Sequence, residues 1–217
     1  MSSDLQQIQH LIAAGRAPDA LPLALRFTRD HPDDPNGWYL LAGVHSVLGR
    51  LEEVIACCRR VTALDPHRFD ALYNLGVALQ QRDQLEEAVE CYRRAVALKP
   101  DFAPAHANLG MALWKLEQLD EAEAASREAL RLDPNQAQAA NNLGLVLRAQ
   151  NRLDEAVAVL NDVIRRAPQM PETRYNLALC LLALERPGEA RAQLEEAVRL
   201  KPDYREAHAD LGRLAFV

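Results

Sequence analysis

The sequence predicts an all-α fold, an α-solenoid of about six stacked helix-turn-helix repeats followed by a C-terminal helix. Three observations predict it. Pro32, Pro66, Pro100, Pro134, Pro168 and Pro202 recur every 34 residues, and a fixed period of that size signals stacked supersecondary units. Leu41, Leu75, Leu109, Leu143, Leu177 and Leu211 keep the same interval. Within an interval, apolar residues recur at helical spacing, as in Leu72, Leu75, Leu79 and then Leu85, Ala88, Tyr92 and Ala95,. The 217 residues hold six units of 34 with 13 left over.

The units run 1–34, 35–68, 69–102, 103–136, 137–170 and 171–204, and 205–217 is a half unit. Each unit is read as a helix A over about positions 1–14 and a helix B over about positions 18–31. Gly76, Gly110, Gly144 and Gly212 occupy position 8, with Ala42 and Ala178 substituting in two other units. These small residues, with alanine at position 20 in most units, let helices A and B approach closely. Acidic residues such as Glu86-Glu87, Asp120-Glu121 and Asp154-Glu155 sit on the positive end of helix B,. Position 15 carries Gly15, Gly49, Asp83 or Asn151, types that tolerate a turn,. Proline at position 32 stops helix B. Residues 1–34 are a degenerate unit: they keep Gly15, Ala20 and Pro32, but Gln7-Ile8 replaces the Leu-Gly pair. Residues 205–217 read as a closing helix or as a cut within a longer chain, with an apolar Phe216-Val217 end. One unit cannot bury its apolar stripe alone, so stacking makes 1–217 a single domain.

These residues carry a resemblance. The series Trp38, Leu41-Ala42, His45, Val54, Cys58, Val61 and Pro66 resembles the tetratricopeptide repeat pattern. So does Leu72, Leu75-Gly76, Leu79, Ala88, Tyr92, Ala95 and Pro100, and the match extends over essentially the whole chain. The resemblance implies a right-handed superhelix whose A helices line a concave face.

Composition narrows the function. A net charge of −6 argues against nucleic-acid binding, which needs a basic face,. The longest apolar run, Leu177 to Leu184, is too short to span a bilayer, which takes about 20 residues,. The N-terminus lacks signal-peptide character. The spacing of Cys57, Cys58, Cys91 and Cys180 suits neither a disulfide framework nor a zinc site,. A reducing, cytoplasmic setting is therefore expected, and the scarcity of lysine against arginine suggests a bacterial source. No phosphate loop, histidine cluster or nucleophile constellation is present. His106 and His208 stand at position 4, where the family carries tryptophan, and are read as half-buried packing residues. No enzyme, cofactor or metal is expected.

Position 6 carries the functional signal. Asn74, Asn108, Asn142 and Asn176 follow one another at the repeat interval, and Asp210 continues the series. An asparagine amide offers a donor and an acceptor. A row of them pointing into the groove can pair with successive peptide units of an extended ligand. The row resembles the peptide-holding asparagine ladder of the O-GlcNAc transferase repeat superhelix. Tyr39, Tyr73 and Tyr175 at position 5, and Val77, Met111, Leu145 and Leu179 at position 9, would set selectivity together with the cations Lys115 and Arg148. Trp114 offers either a partner anchor or a packing residue. The carboxylate clamp of related chaperone binders needs lysine at position 2, where this chain has Asn36, Asp70, Pro104, Gln138, Glu172 and Glu206. The expected role is a scaffold binding a protein or peptide partner. The alternatives are a substrate-recognition arm of a larger enzyme, such as an O-GlcNAc-transferase-like glycosyltransferase, or a structural array that self-associates through its terminal helices.

Overall fold

A residue that precedes proline is pushed out of the α region, and that restriction sets the rhythm of the chain. His31, Asp65, Lys99, Asp133, Ala167 and Lys201 each precede a period proline, and each caps a B helix with φ between −131° and −136°. The computed structural model describes residues 3–214, so the Phe216-Val217 end lies outside the described residues.

Among the described residues there are thirteen α-helices and no strand. They are α1 (Ser3–Ala13), α2 (Ala17–Asp30), α3 (Pro35–Val47), α4 (Leu51–Leu64), α5 (Phe69–Gln81), α6 (Leu85–Leu98), α7 (Ala103–Lys115), α8 (Leu119–Leu132), α9 (Ala137–Ala149), α10 (Leu153–Arg166), α11 (Pro171–Ala183), α12 (Pro187–Leu200) and α13 (Arg205–Leu214). Helix B begins at position 17 and ends at position 30, one residue earlier at each end than the sequence suggests. None of these helices is long and apolar enough to cross a membrane. The first repeat, though degenerate in sequence, forms the same A–B pair as the others, and its α2 accommodates Pro22 in the helix interior.

The A-to-B turn is the same in every repeat. Gly15, Gly49, Asp83, Glu117, Asn151 and Glu185 all adopt positive φ, between 58° and 71°. At each turn the amide of the left-handed residue reaches back three residues and the next amide reaches back five, as in Glu117 N to Trp114 O at 3.0 Å and Gln118 N to Leu113 O at 2.9 Å. This pair of bonds closes the last turn of helix A and satisfies its terminal carbonyls. The residue types named above explain four of the six positions. Glu117 and Glu185 adopt the conformation against their own preference.

The chain divides into two compact halves, 1–101 and 102–217. In the first, α1 to α6 bury Ile8, Leu72, Leu79 and Tyr92, each essentially inaccessible to solvent. In the second, α7 to α13 bury Leu113, Leu143, Leu147, Leu160, Leu177 and Leu194. Each such side chain stabilises its half by about 1.5–3 kcal/mol. The small residues at position 8 act as expected. A Cβ on Gly144 would lie 2.7 Å from Leu160 Cδ2, and one on Gly76 would lie 2.6 Å from the Tyr92 ring. On Gly110 it would meet Ser126 Oγ at 2.5 Å and the Ala122 carbonyl at 3.2 Å. The glycines are therefore what lets a leucine or tyrosine of helix B lie flat against helix A.

Candidate functional site

Side chains at positions 5, 6 and 9 project from the A helices, and in each half they meet at a cleft. In the first half a cleft of about 520 Å³ is lined by Ile12, Tyr39, Val47, Asn74, Val77 and Gln81, among others. In the second, a cleft of about 630 Å³ holds Met111, Asn142, Leu145, Arg148, Tyr175, Asn176 and Leu179 together with Trp114, Met170, Glu172 and Tyr204. Three residues read from the sequence line neither cleft. Tyr73 packs its ring 6.0 Å from that of Tyr92. Asn108 accepts at Oδ1 from Gln138 Nε2 at 3.0 Å. Lys115 is exposed.

The position-6 series is not a uniform row of free amides. Asn74 Nδ2 donates to the Tyr39 hydroxyl at 3.3 Å. Asn142 Nδ2 donates to the Ala107 carbonyl at 2.9 Å. The Tyr175 hydroxyl donates to Asp210 Oδ2 at 3.1 Å. Each bond joins position 5 of one A helix to position 6 of the next, so these side chains tie neighbouring repeats together. Asn142 departs furthest from the expected groove-facing role: it is 1% exposed, and its Oδ1 is also buried, without a partner. Close packing of α9 on α7 puts it there, because Ala107 at position 5 is too small to hold the two helices apart. Asn176 is half-buried, lines the cleft and makes no hydrogen bond among the described residues.

The tyrosines are held as neutral hydroxyls. Burial raises the pKa of Tyr39, and Asp70 adds to it. Burial also raises that of Tyr175, with Asp210 next in importance, and pushes Tyr204 up to about 12. Arg68 lies 4.2 Å above the Tyr39 ring and bonds Asn36 at 2.9 Å and Asp70 at 3.2 Å. Tyr175 and Tyr204 pack at 5.1 Å. Arg148 has no ion pair among the described residues, although the cleft around it is mainly apolar.

Sequence reasoning missed Met170, Glu172 and Tyr204. They belong to the inter-repeat loops and helix starts at positions 34 and 2, which helical periodicity does not reach. Trp114 lies in the cleft wall. At position 4, His106 is half-buried as expected, whereas His208 departs from expectation. His208 is exposed and its Nε2 lies 2.9 Å from the Pro202 carbonyl. Trp38 Nε1 donates to the Pro32 carbonyl at 2.8 Å, and Arg174 donates to the Pro168 carbonyl. At Trp38, Arg174 and His208, position 4 thus serves the carbonyl of the preceding period proline. The four cysteines are buried and free. No group of three or more metal-ligating side chains that could hold a metal ion occurs among the described residues.

A sequence model described as tetratricopeptide repeat matches residues 5–61 and 107–171. Two related models of the same description match 147–214 and 69–102. No curated protein matches the chain. Among solved structures, PilF of Pseudomonas aeruginosa is similar with a TM-score of 0.80 at 18% identity, over 97% of this chain and 96% of that one. YrrB, a repeat protein described as having an unusual peptide-binding site, is similar with a TM-score of 0.70 at 24% identity, over 86% and 97%. A thermophilic repeat protein of Thermus thermophilus is similar with a TM-score of 0.68 at 22% identity, over 85% and 100%.

Proposed function

Because the chain belongs to the tetratricopeptide repeat family, we propose that it is a non-catalytic interaction module that holds an extended peptide segment along its A-helix faces. The observation that carries this reading is the cleft of the second half, where, among the described residues, Asn176 makes no hydrogen bond and Arg148 no ion pair beside Met111, Leu145 and Leu179. An extended segment can exchange a donor and an acceptor with the Asn176 amide, each bond worth about 0.5–1.5 kcal/mol net. Its aliphatic side chains rest on the leucines and methionines. An acidic residue answers Arg148, whose charge in a partly apolar site is screened less than one on an open surface. A peptide ligand agrees with the peptide-binding site described for YrrB. The buried thiols fit a reducing, cytoplasmic setting,.

The test is a peptide array of extended aliphatic sequences, with and without one acidic residue, followed by titration of the tightest binder. Asn176→Ala and Arg148→Met are expected to weaken binding about fivefold to tenfold each, with no change in melting temperature. Asn142→Ala is expected to lower the melting temperature, since its bond to Ala107 is buried. Unchanged affinity in both Asn176→Ala and Arg148→Met would defeat the reading.

A further inference from the structure

One polar side chain stands in an otherwise apolar series near the end of the A helices. Position 11 carries Leu11, Leu79, Leu113, Leu147 and Leu181, and His45 in the remaining full unit. The five leucines are buried, and His45 is buried with them at 6% exposure. It lies one turn beyond Ala42, on the face of α3 that packs on α4,. Its backbone carbonyl accepts from Arg50 N at 2.9 Å, so the residue also belongs to the A-to-B turn. An imidazole brings two ring nitrogens into a place where leucine brings none. His45 Nδ1 is inaccessible to solvent and has no hydrogen-bond partner.

The neutral and charged rings ask different things of this site. Neutral imidazole carries one N–H, and imidazolium carries an N–H on both nitrogens. Whichever nitrogen holds the proton in the neutral ring, the cation places at Nδ1 a donor that nothing accepts, and it places a charge in a buried site. Glu53 of α4 favours the cation and Arg50 of the turn opposes it. Among the described residues neither α1 nor α2, which also pack on α3, contributes a further charge. Burial outweighs Glu53 and holds the ring below its ordinary value of about 6.5,. The folded state therefore takes up the proton less readily than the unfolded state. Its stability is fully present above that ordinary value and is lost as pH falls below it. The two helices beside the ring also shape the first-half cleft, through Tyr39 and Val47 of α3 and Val54 and Cys58 of α4. We infer that His45 is an acid-sensitive latch, whose protonation loosens α3 from α4 and so opens the A-helix cleft of the first half. The second half, with Leu113, Leu147 and Leu181 at this position, has no such latch.

The test uses the full chain. Proton NMR follows the His45 ring, assigned by the resonance that His45→Leu removes, and the ring is expected to titrate below about 6.5. Local opening is read with a dipyridyl disulfide, which stays reactive towards thiols in mild acid, and the labelled sites are located by mass spectrometry. Cys57, Cys58 and Cys91 report the first half and Cys180 the second, all four being buried. As pH falls from about 7.5 to about 5, labelling of the first three is expected to accelerate relative to Cys180. The factor should reach about tenfold for each unit by which the NMR titration lies below the unfolded value. His45→Leu restores the residue of the other repeats and is expected to abolish the acceleration while raising the melting temperature. His45→Gln keeps polarity without a titratable group and is expected to abolish the acceleration too, whatever its effect on stability at neutral pH. Acceleration that survives both substitutions, acceleration that is equal at Cys180, or a ring that titrates at or above about 6.5 would overturn the inference.

Discussion

Replacing Glu117 and Glu185 by glycine is expected to stabilise the second half of the chain. Both residues close an A helix at φ of 60° and 58°. A side chain in that region costs roughly 1–2 kcal/mol through contact of its Cβ with the backbone. Glycine removes that strain but adds about 0.4–1 kcal/mol of unfolded-state entropy, so the net gain is about 0.5–1 kcal/mol per site. Neither carboxylate forms an ion pair among the described residues and both are exposed, so no packing is lost. A negative charge at a helix C-terminus is also mildly unfavourable. Glu117→Gln separates that contribution, because it removes the charge and keeps the strain. The reverse test is Gly49→Ala: its φ is 69° and a Cβ there meets nothing within 4 Å, so backbone strain, partly offset by unfolded-state entropy, is the change and packing is not,. It should destabilise the first half by about 0.5–1 kcal/mol. Urea unfolding followed by far-ultraviolet circular dichroism reads all four variants, and a shift of about 2–4 °C in melting temperature per kcal/mol is expected alongside. If Glu117→Gln gains as much stability as Glu117→Gly, charge rather than backbone strain governs these turns; if the glycine variants are no more stable than the parent, neither does. If Gly49→Ala is neutral, the strain argument fails outright.

Two further outcomes follow from the packing and the buried thiols. Gly144→Ala should lower stability by about 1–3 kcal/mol through overpacking against Leu160,, and a double-mutant cycle with Leu160→Ala should show coupling; additive effects would mean the two helices simply move apart. Burial lifts Cys57 and Cys91 to about 11 and Cys58 to about 12 from an ordinary value near 9. These thiols should resist a thiol-reactive dye at pH 8 until the first half unfolds. Because the folded state holds their protons more tightly than the unfolded state, their contribution to stability is fully present below about pH 9. It is lost as pH rises through 11 to 12,. Rapid native labelling, or stability that increases over that range, would contradict the burial.

The repeat length, the A–B pairing and the ends of the B helices were legible without coordinates because each depends on a local rule. Proline restricts the residue before it, apolar residues mark a helix face, and a small residue at position 8 makes room for helix B, with glycine at Gly76 and Gly144, where a tyrosine ring or a leucine branch lies against it. The turn was legible at Gly15, Gly49, Asp83 and Asn151 but not at Glu117 and Glu185. There the helix geometry imposes the left-handed residue whatever its type. The candidate site was legible in part. Leu145, Leu179, Met111 and Arg148 do converge on one cleft. The asparagines were legible as a series but not in their individual roles, because bonds such as Asn142 to Ala107 run between residues 35 apart in sequence.

By itself, then, the sequence determined the period, the helices and the direction each helix face takes, since a repeated local code carries all three. Tertiary structure decided which polar groups remain available. At position 6, Asn74 bonds the Tyr39 hydroxyl and Asn142 the Ala107 carbonyl of the preceding A helix, whereas Asn176 makes no hydrogen bond among the described residues. These roles depend on contacts between repeats, and the spacing of residues along one helix does not encode them.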